Sequence, residues 1–380
     1  MLVTEKATAL RARGIAVVDL GAGEPDFDTP QHIKDAAARA MRDGQTKYTP
    51  VAGTAALKAA IVTKLQRDNQ LTYGPSEVVA CCGGKHALYL AFQALFGTGD
   101  AVLVPAPFWV SYPDMLVLAG AEPIIVRTSE ERDFKLTPAE LDAAITPRTR
   151  ALILNSPSNP TGAAYHTDEL AGLLEVVVAR NLSLICDDVY EMMIYGAPRP
   201  SHPLLLHPAL RDRTLIVNSV SKTYAMTGWR IGYSAGPAPI IKAMTTLQGQ
   251  MTSNPSSIAQ AAAAQALAGP QEAVSTMIAE FARRGRYVVD RLRTMPRVRC
   301  NEPQGAFYVF PNVSAYLEPH RPGLKTGDDL AAYLLESSQV AVVGGTDFGA
   351  PEHIRISYAT SMDNLRDGLN RIEGSLAALS

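Results

Sequence analysis

Between residues 77 and 237 the chain repeats one pattern: a short apolar, β-branched run, a turn signal and then a helical segment. The runs are EVVACC from residue 77, AVLVPAP at 101–107, EPIIVRT at 122–128, RALILNSP at 150–157, LSLICDD at 182–188, TLIVNSV at 214–220 and IGYSAGP at 231–237. Several are apolar throughout, as strands covered on both faces should be. The pattern therefore predicts an α/β protein with a seven-stranded, mostly parallel sheet.

After about residue 285 the pattern changes. Three further strands are predicted, GAFYVF at 305–310, VAVVGG at 340–345 and HIRISYA at 353–359, separated by a Pro-rich stretch and two amphipathic helices. The first 30 residues contain VVDL and the turn-rich GAGEPDFDTP, and we expect them to pack with this carboxy-terminal part. The prediction is a large domain at 31–285 and a smaller α+β domain formed by 1–30 and 286–380.

Charge and cysteine content exclude several classes of partner. The chain has 35 Lys and Arg against 37 Asp and Glu, spread along its length, so nucleic acid and membrane surfaces are not expected partners. The four cysteines show no CxxC spacing, and the first 14 residues carry charges and no apolar segment, which predicts a reduced, cytoplasmic protein. Charged residues make up only 19%, below the roughly 25% that is typical, which indicates self-association.

Ligands of open parallel sheets bind beyond the carboxyl ends of the strands, so the residues that follow the apolar runs are the candidates for chemistry. Lys222 comes just after the run at 214–220, with Ser219 before it and Arg230 after it. A lysine held among apolar neighbours or other cations loses its proton more easily and can attack a carbonyl. A lone lysine more often simply extends to solvent.

The run at 182–188 ends in Asp187 and Asp188, and Tyr190 follows. A carboxylate at such a strand end can hold a protonated ring nitrogen, and the tyrosine can donate to a phenolate-like oxygen of the same ring. A Mg²⁺-binding aspartate pair and an ordinary structural turn remain open for this motif.

Two further turns follow predicted strands. NSPSNPTG presents Asn155, Ser158 and Asn159, although most Asn-Pro turns only redirect the chain. CCGGKHALY at 81–89 is a strand, a diglycine turn and a helix start, whose free N–H groups favour a phosphate. It matches neither the dinucleotide-binding nor the P-loop glycine pattern, which disfavours a nicotinamide dehydrogenase or a P-loop kinase.

These sites together supply a phosphate cradle, a carbonyl-reactive lysine, an acid for a ring nitrogen and donors for a ring oxygen, as pyridoxal 5'-phosphate requires. The combination resembles the fold-type I aminotransferases of the aspartate aminotransferase-like class I/II family over nearly the whole chain. Eight motifs occur in the order of that family: GAGEPDFDTP, TKYTPVAG, GGKHAL, PAPFWVSYP, NSPSNPTG, DDVY, SVSKTYAMTGWRIGY and HIRISYA.

The resemblance implies catalytic roles for three residues. Lys222 would bind the cofactor covalently and later move a proton between the substrate α-carbon and the cofactor. Asp187 would keep the ring nitrogen protonated. Tyr190, together with Asn159, would donate hydrogen bonds to the ring oxygen.

It also implies contacts for the rest of the cofactor and for the substrate. Trp109 would stack on the ring, although an ordinary core tryptophan is the alternative. The predicted phosphate ligands are Gly84, Lys85, Ser219 and Arg230, with Tyr48 reaching the phosphate of a neighbouring subunit in a homodimer. Arg355 would hold the substrate α-carboxylate as a bidentate clamp, with Gly23, Trp109 and Asn159 beside it; a structural salt bridge is the alternative for Arg355. No metal is expected.

The family resemblance implies transamination by a ping-pong mechanism, with an L-amino acid and a 2-oxo acid as substrates. Aspartate with 2-oxoglutarate is the leading pair. Some family members read the distal carboxylate with an arginine just before the Ser-Asn-Pro segment, but residues 243–257 contain none. Aromatic amino acids, alanine and prephenate therefore remain alternatives.

Three other classes stay open. A carbon–sulfur β-lyase would use the same cofactor and lysine. A cofactor-sensing regulator would need a DNA-binding module, for which the motifs leave no residues. A metal-dependent enzyme would use Asp187 and Asp188.

Overall fold

The computed structural model describes residues 6, 9–10, 12–196, 199–319 and 323–379. Part of the predicted segment 1–30, namely residues 1–5, 7, 8 and 11, lies outside the described residues. The strands are β1 (Val18–Asp19), β2 (Val78–Cys81), β3 (Ala101–Ala106), β4 (Glu122–Arg127), β5 (Thr149–Asn155), β6 (Ser183–Asp187), β7 (Thr214–Ser219), β8 (Gly232–Ala235), β9 (Tyr308–Val309), β10 (Val340–Ala341), β11 (Val343–Gly344) and β12 (Ile354–Ser357).

Helices separate most of the strands of the large sheet. The α-helices are α1 (Gln31–Arg42), α2 (Ala55–Asn69), α3 (Gly84–Leu95), α4 (Ser111–Leu118), α5 (Pro138–Ala144), α6 (Thr167–Ala179), α7 (Pro203–Leu206), α8 (Ala238–Met251), α9 (Ser257–Ala268), α10 (Glu272–Thr294), α11 (Gly327–Ser338) and α12 (Met362–Ala378). Short 3₁₀ helices lie at Pro75–Glu77, Glu130–Arg132, Pro208–Arg213, Thr227–Trp229, Ser314–Tyr316 and Thr346–Phe348. Within the described ranges, no helix combines the length and apolarity that crossing a membrane requires.

The seven strands predicted between residues 77 and 237 form one sheet in the order β2-β8-β7-β6-β5-β3-β4. Only β8 runs antiparallel to its neighbours, so the predicted mostly parallel sheet is confirmed. Alternate residues of one strand belong to different hydrophobic clusters: in β6, Leu184 and Cys186 pack on one side and Ile185 on the other. Both faces of the central strands are therefore buried, which explains why several of these runs are apolar throughout, whereas the edge strand β4 is partly exposed.

Both ends of the described chain contribute to a second hydrophobic cluster. Strand β1 pairs in parallel with β10, and Val18 and Leu20 pack with Leu369 and Ile372 of α12. A separate three-stranded sheet has the order β11-β12-β9. Helix α10 runs without a break through the predicted boundary at residue 285, because its first turns pack on the large-sheet cluster and its later turns on this one.

The topology brings the ends of several strands to one place. Asn155 at the end of β5 is in register with Asp187 at the end of β6. On the other side of β6, β7 ends at Ser219, which is in register with Gly232 of β8. The polar residues that follow these strands therefore meet at one edge of the sheet.

Candidate active site

A cavity of about 230 Å³ opens at this edge, between the large sheet and the segment that carries Arg355. Its lining residues are Gly23, Gly84, Lys85, Leu88, Trp109, Tyr112, Asn155, Asn159, Asp187, Val189, Tyr190, Ser219, Ser221, Lys222, Thr227, Arg230, Tyr308 and Arg355. Every residue to which the family resemblance assigns a role is among them except Tyr48. That side chain is 91% exposed and lies outside the cavity of its own chain.

One end of the cavity is built to hold an anion. The turn after β2 leads into α3, which begins at Gly84 and directs its first N–H groups toward the site. Gly83 has φ +93°, a backbone conformation that other residues rarely adopt, and a Cβ there would clash with the Arg230 guanidinium in its present position. A Cβ on Gly84 would in turn lie 3.5 Å from that of Ser219. Backbone donors, a guanidinium and a hydroxyl thus converge.

Lys222 lies on the turn after β7, in the middle of the cavity wall. Its Nζ donates a hydrogen bond to the Gly23 carbonyl oxygen. The pKa of Lys222 is lowered to about 8: burial is the main cause, the charges of Arg355 and Arg230 act in the same direction, and the charge of Glu24 opposes them. An amine with such a pKa is partly neutral near physiological pH and can act as a nucleophile or a base.

Asp187 lies at the floor of the cavity and is almost completely buried. Burial, with help from the neighbouring charge of Asp188, raises the pKa of Asp187 to about 6, although a hydrogen bond from Tyr112 opposes the shift. The Tyr112 hydroxyl donates to Oδ2 at 2.5 Å, and Asn155 Nδ2 donates to the Asp187 carbonyl at 2.9 Å. Among the described residues no cation forms an ion pair with Asp187. A protonated ring nitrogen would supply the missing charge.

Arg355 is buried and only partly satisfied. Nη1 donates to Asn159 Oδ1 at 3.0 Å, Nη2 donates to the Gly21 carbonyl at 2.8 Å, and Nε has no partner. Within the described ranges no carboxylate lies within 4.0 Å of its guanidinium, so the structural salt bridge considered above is absent from them. A buried guanidinium with unused donors is suited to bind a carboxylate.

Two aromatic pairs complete the walls. Trp109 is half-buried: it lines the cavity and also packs against one of the hydrophobic clusters of the large sheet. Its ring meets that of Tyr112 edge-on at 5.3 Å. The Nζ of Lys85 lies 5.0 Å from the Trp109 ring centroid, a cation–π distance. Tyr190 and Tyr308 share a hydrogen bond of 2.9 Å between their hydroxyls.

The sequence interpretation missed four polar residues of this site: Tyr112, Ser221, Thr227 and Tyr308. Tyr112 and Tyr308 lie inside the quoted motifs PAPFWVSYP and GAFYVF, but aromatic residues in apolar runs look like core residues. The signal that could have identified Tyr112 is its position one helical turn after Trp109, which places both rings on the same side of the turn.

The aspartate pair considered as a metal site has two different environments. Among the described residues, Cys186, Asp188 and His202 form a group of three potential metal ligands whose ligand atoms lie within 4.8 Å of one another. Asp187 does not belong to this group. His202 Nδ1 accepts a hydrogen bond from the backbone N–H of Leu204, so Nε2 carries the proton and faces Asp188 Oδ2 at 3.2 Å. This geometry indicates a hydrogen-bonded pair rather than a metal ligand set.

A buried ion pair lies behind the site. Glu191, directly after Tyr190, pairs with Lys64 of α2, and its Oε1 also accepts from Asn218 Nδ2 at 2.7 Å. Burial raises the pKa of Glu191, but the charges of Lys64 and Arg199 outweigh this and hold the pKa below its usual value. The ion pair joins the turn after β6 to helix α2, and the hydrogen bond from Asn218 joins the same turn to the end of β7.

The chain was compared with known proteins. The family model for aminotransferase class I and II matches residues 15–372. An aspartate aminotransferase from Geobacillus stearothermophilus is 50% identical over 378 residues, covering 100% of this chain and 96% of the relative. An aspartate/prephenate aminotransferase from Cereibacter sphaeroides is 51% identical, again covering 100% of this chain and 96% of the relative.

Solved structures agree with these matches. The crystal structure of an aspartate aminotransferase from Rhizobium meliloti superposes with a TM-score of 0.95 at 46% identity, covering 100% of this chain and 96% of that one. A Thermus thermophilus aspartate aminotransferase with maleate superposes with a TM-score of 0.91 at 42% identity, covering 98% and 95%.

Proposed function

The chain belongs to the class I and II aminotransferase family and is an aminotransferase, and on that premise we propose that it transfers the amino group of L-aspartate to 2-oxoglutarate with pyridoxal 5'-phosphate as its cofactor. The observation that carries this proposal is the position of Lys222. Its amine, with a lowered pKa, lies in one cavity with the uncompensated carboxylate of Asp187 and the partly unsatisfied guanidinium of Arg355.

The residues present fit the proposed cofactor. Lys222 would bind its aldehyde carbon, and Asp187 would pair with its ring nitrogen. Tyr190 and Asn159 would donate to its ring oxygen, with Trp109 on its face. Its phosphate would take the N–H groups of Gly84 and Lys85, the Ser219 hydroxyl and the Arg230 guanidinium. When bound, the cofactor supplies a carbonyl that accepts the amino group and a ring that takes up electrons from the substrate α-carbon.

The protein's own groups then orient the substrate and move its proton. Arg355 binds the α-carboxylate and, with the N–H of Gly23, holds the α-carbon beside Lys222. The neutral amine of Lys222 takes the α-proton, and the charged amine returns it, which a pKa of about 8 allows in both directions near neutral pH.

The aspartate preference is supported by the names of the relatives and by one unassigned cation. Among the described residues, four basic side chains line the cavity, and Lys222, Arg230 and Arg355 already have roles. The remaining one is Lys85, whose ammonium group lies against Trp109. We assign Lys85 to the distal carboxylate, in place of the arginine that is missing from residues 243–257.

Several further statements belong to the same proposal. The exposed Tyr48 is available to a second copy of the chain, which supports a homodimer with shared sites. The division into a large domain at 31–285 and a small domain formed by both chain ends is proposed on the two hydrophobic clusters, and the location is proposed to be cytoplasmic.

The proposal is tested by adding a panel of amino acids to the cofactor-loaded protein and following the cofactor absorbance. Aspartate and glutamate should shift the spectrum at lower concentrations than alanine or phenylalanine. Prephenate belongs among the acceptors, because one relative is an aspartate/prephenate aminotransferase.

The variant Lys85→Met should weaken the binding of aspartate about 10- to 100-fold and leave the binding of alanine unchanged, as loss of one charged hydrogen bond predicts. Equal loss for both would contradict the assignment of Lys85.

A further inference from the structure

Two buried tyrosines connect the cofactor side of the cavity with the carboxylate side. Tyr190 lies on the turn after β6, and Tyr308 begins β9. Both line the cavity, and their hydroxyl oxygens are 2.9 Å apart. In the part of the chain that the structure describes, this is the only hydrogen bond of either hydroxyl. The distance leaves open which oxygen donates.

The proposed function decides the direction, and this inference rests on it. A hydroxyl has a single hydrogen, so Tyr190 cannot donate both to Tyr308 and to the cofactor's ring oxygen. We propose that Tyr308 is a positioning residue that donates its hydrogen to the Tyr190 oxygen and thereby directs the Tyr190 hydrogen into the cavity. Tyr308 itself acts through Tyr190 and does not touch the ring oxygen.

The position of Arg355 strengthens this donor. Its guanidinium lies 4.6 Å from the centroid of the Tyr308 ring, on the neighbouring strand β12. Burial raises the pKa of the Tyr308 hydroxyl, and the charge of Arg355 opposes that rise, which makes the hydroxyl a better donor. The charge of Arg355 also opposes the rise that burial causes in the pKa of Tyr190, so it acts on both hydroxyls of the pair.

The charged groups around this pair and the lysine are few. Asp187 and Arg355 face Tyr190. Glu24, Arg230 and Arg355 face Lys222. None of them is altered by removing the Tyr308 hydroxyl alone, so the substitution Tyr308→Phe isolates one hydrogen bond while it keeps the ring against Arg355.

The test measures the pH at which the absorbance of the Lys222-bound cofactor changes. Donation by Tyr190 stabilises the negative ring oxygen and holds this transition at low pH, so Tyr308→Phe should raise it by about 0.5 to 1 unit, the effect of one neutral hydrogen bond. The matched control is Tyr316→Phe, since Tyr316 is also buried but its hydroxyl donates to the carbonyl of Pro296, away from the cavity. That control should leave the transition unchanged.

A double-substitution cycle separates action through Tyr190 from a general disturbance. In a Tyr190→Phe background, adding Tyr308→Phe should cause no further shift. Should Tyr308→Phe fail to fold, 3-fluorotyrosine at position 308, a more acidic donor, should move the transition down instead of up. The inference is overturned if Tyr308→Phe leaves the pH of the transition unchanged, or if it shifts this pH equally in the wild-type and Tyr190→Phe backgrounds. It is also overturned if the fluorinated protein has an unchanged or raised transition. If the wild-type protein forms no cofactor adduct at Lys222, it is the proposed function that fails.

Discussion

Replacing Arg355 with lysine tests how the cavity recognises a carboxylate, because the substitution keeps the positive charge and removes the planar fork. Arg355 donates from Nη1 to Asn159 and from Nη2 to the carbonyl of Gly21, and its Nε has no hydrogen-bond partner. A lysine has a single nitrogen that must serve either these partners or the substrate.

The expected loss follows from the number of contacts. At least one charge-assisted hydrogen bond to the carboxylate disappears, and such a bond contributes about 1.5 to 3 kcal/mol. Apparent affinity for aspartate should therefore fall about 10- to 150-fold, since 1.4 kcal/mol corresponds to a factor of ten. Because the α-carboxylate is common to all amino acids, alanine should lose a similar factor.

The assay is the half-reaction of cofactor-loaded protein, followed by absorbance over a range of aspartate concentrations. Binding of succinate, a dicarboxylate without an amino group, gives an independent affinity. Arg371→Lys is the control, because Arg371 lies on α12 and pairs with Asp367 away from the cavity. Unaltered affinity of Arg355→Lys for aspartate, alanine and succinate alike would refute the carboxylate clamp.

Three further predictions concern Lys222, Asp187 and the buried ion pair behind the site. The rate at which cofactor-free protein captures pyridoxal phosphate should rise with pH through about 8 and level off above it, because the neutral amine of Lys222 is the nucleophile. The variant Lys222→Ala should capture no cofactor. A capture rate independent of pH would contradict the lowered pKa of Lys222. Asp187→Ala should slow the half-reaction about 100-fold or more while changing aspartate affinity much less, measured by rapid mixing; an unchanged rate would exclude the ring-nitrogen role. Glu191→Ala should lower the free energy of unfolding, measured in urea, by about 3 to 5 kcal/mol, because it leaves the Lys64 charge buried without its partner. The double variant Lys64→Met, Glu191→Leu should lower the free energy of unfolding much less. Equal losses for the two variants would argue against this account of the ion pair.

Much of the fold was predictable because the strands of a doubly covered sheet must be apolar on both faces. That requirement marked several strands of the large sheet, and the recurring strand–turn–helix pattern marked the others. The rule that ligands bind at strand ends then pointed to Asp187 and Lys222. The proposed division at residue 285 falls inside α10, which presents apolar residues to both hydrophobic clusters, so apolarity alone does not mark a domain boundary there.

The parts that escaped prediction depend on long-range contacts. Tyr112 reaches Asp187 across 75 positions, and Tyr308 reaches Tyr190 across 118. Nothing in the local pattern around an aromatic residue tells whether its hydroxyl will find a carboxylate, another hydroxyl or a backbone carbonyl. The pairing of Lys64 with Glu191 is invisible for the same reason, because helix α2 contributes no residue to the cavity itself.

The most direct test of the central claim is the stoichiometry of a half-reaction without an acceptor. Cofactor-loaded protein mixed with excess aspartate should release one equivalent of oxaloacetate per cofactor and no ammonia, and then stop. Addition of 2-oxoglutarate should restart it and form one glutamate for each oxaloacetate. Continuous release of ammonia from aspartate without an acceptor would contradict amino-group transfer. A carbon–sulfur lyase would instead release pyruvate and ammonia from an amino acid that carries a sulfur leaving group on its β-carbon, and it would not turn over aspartate in this way.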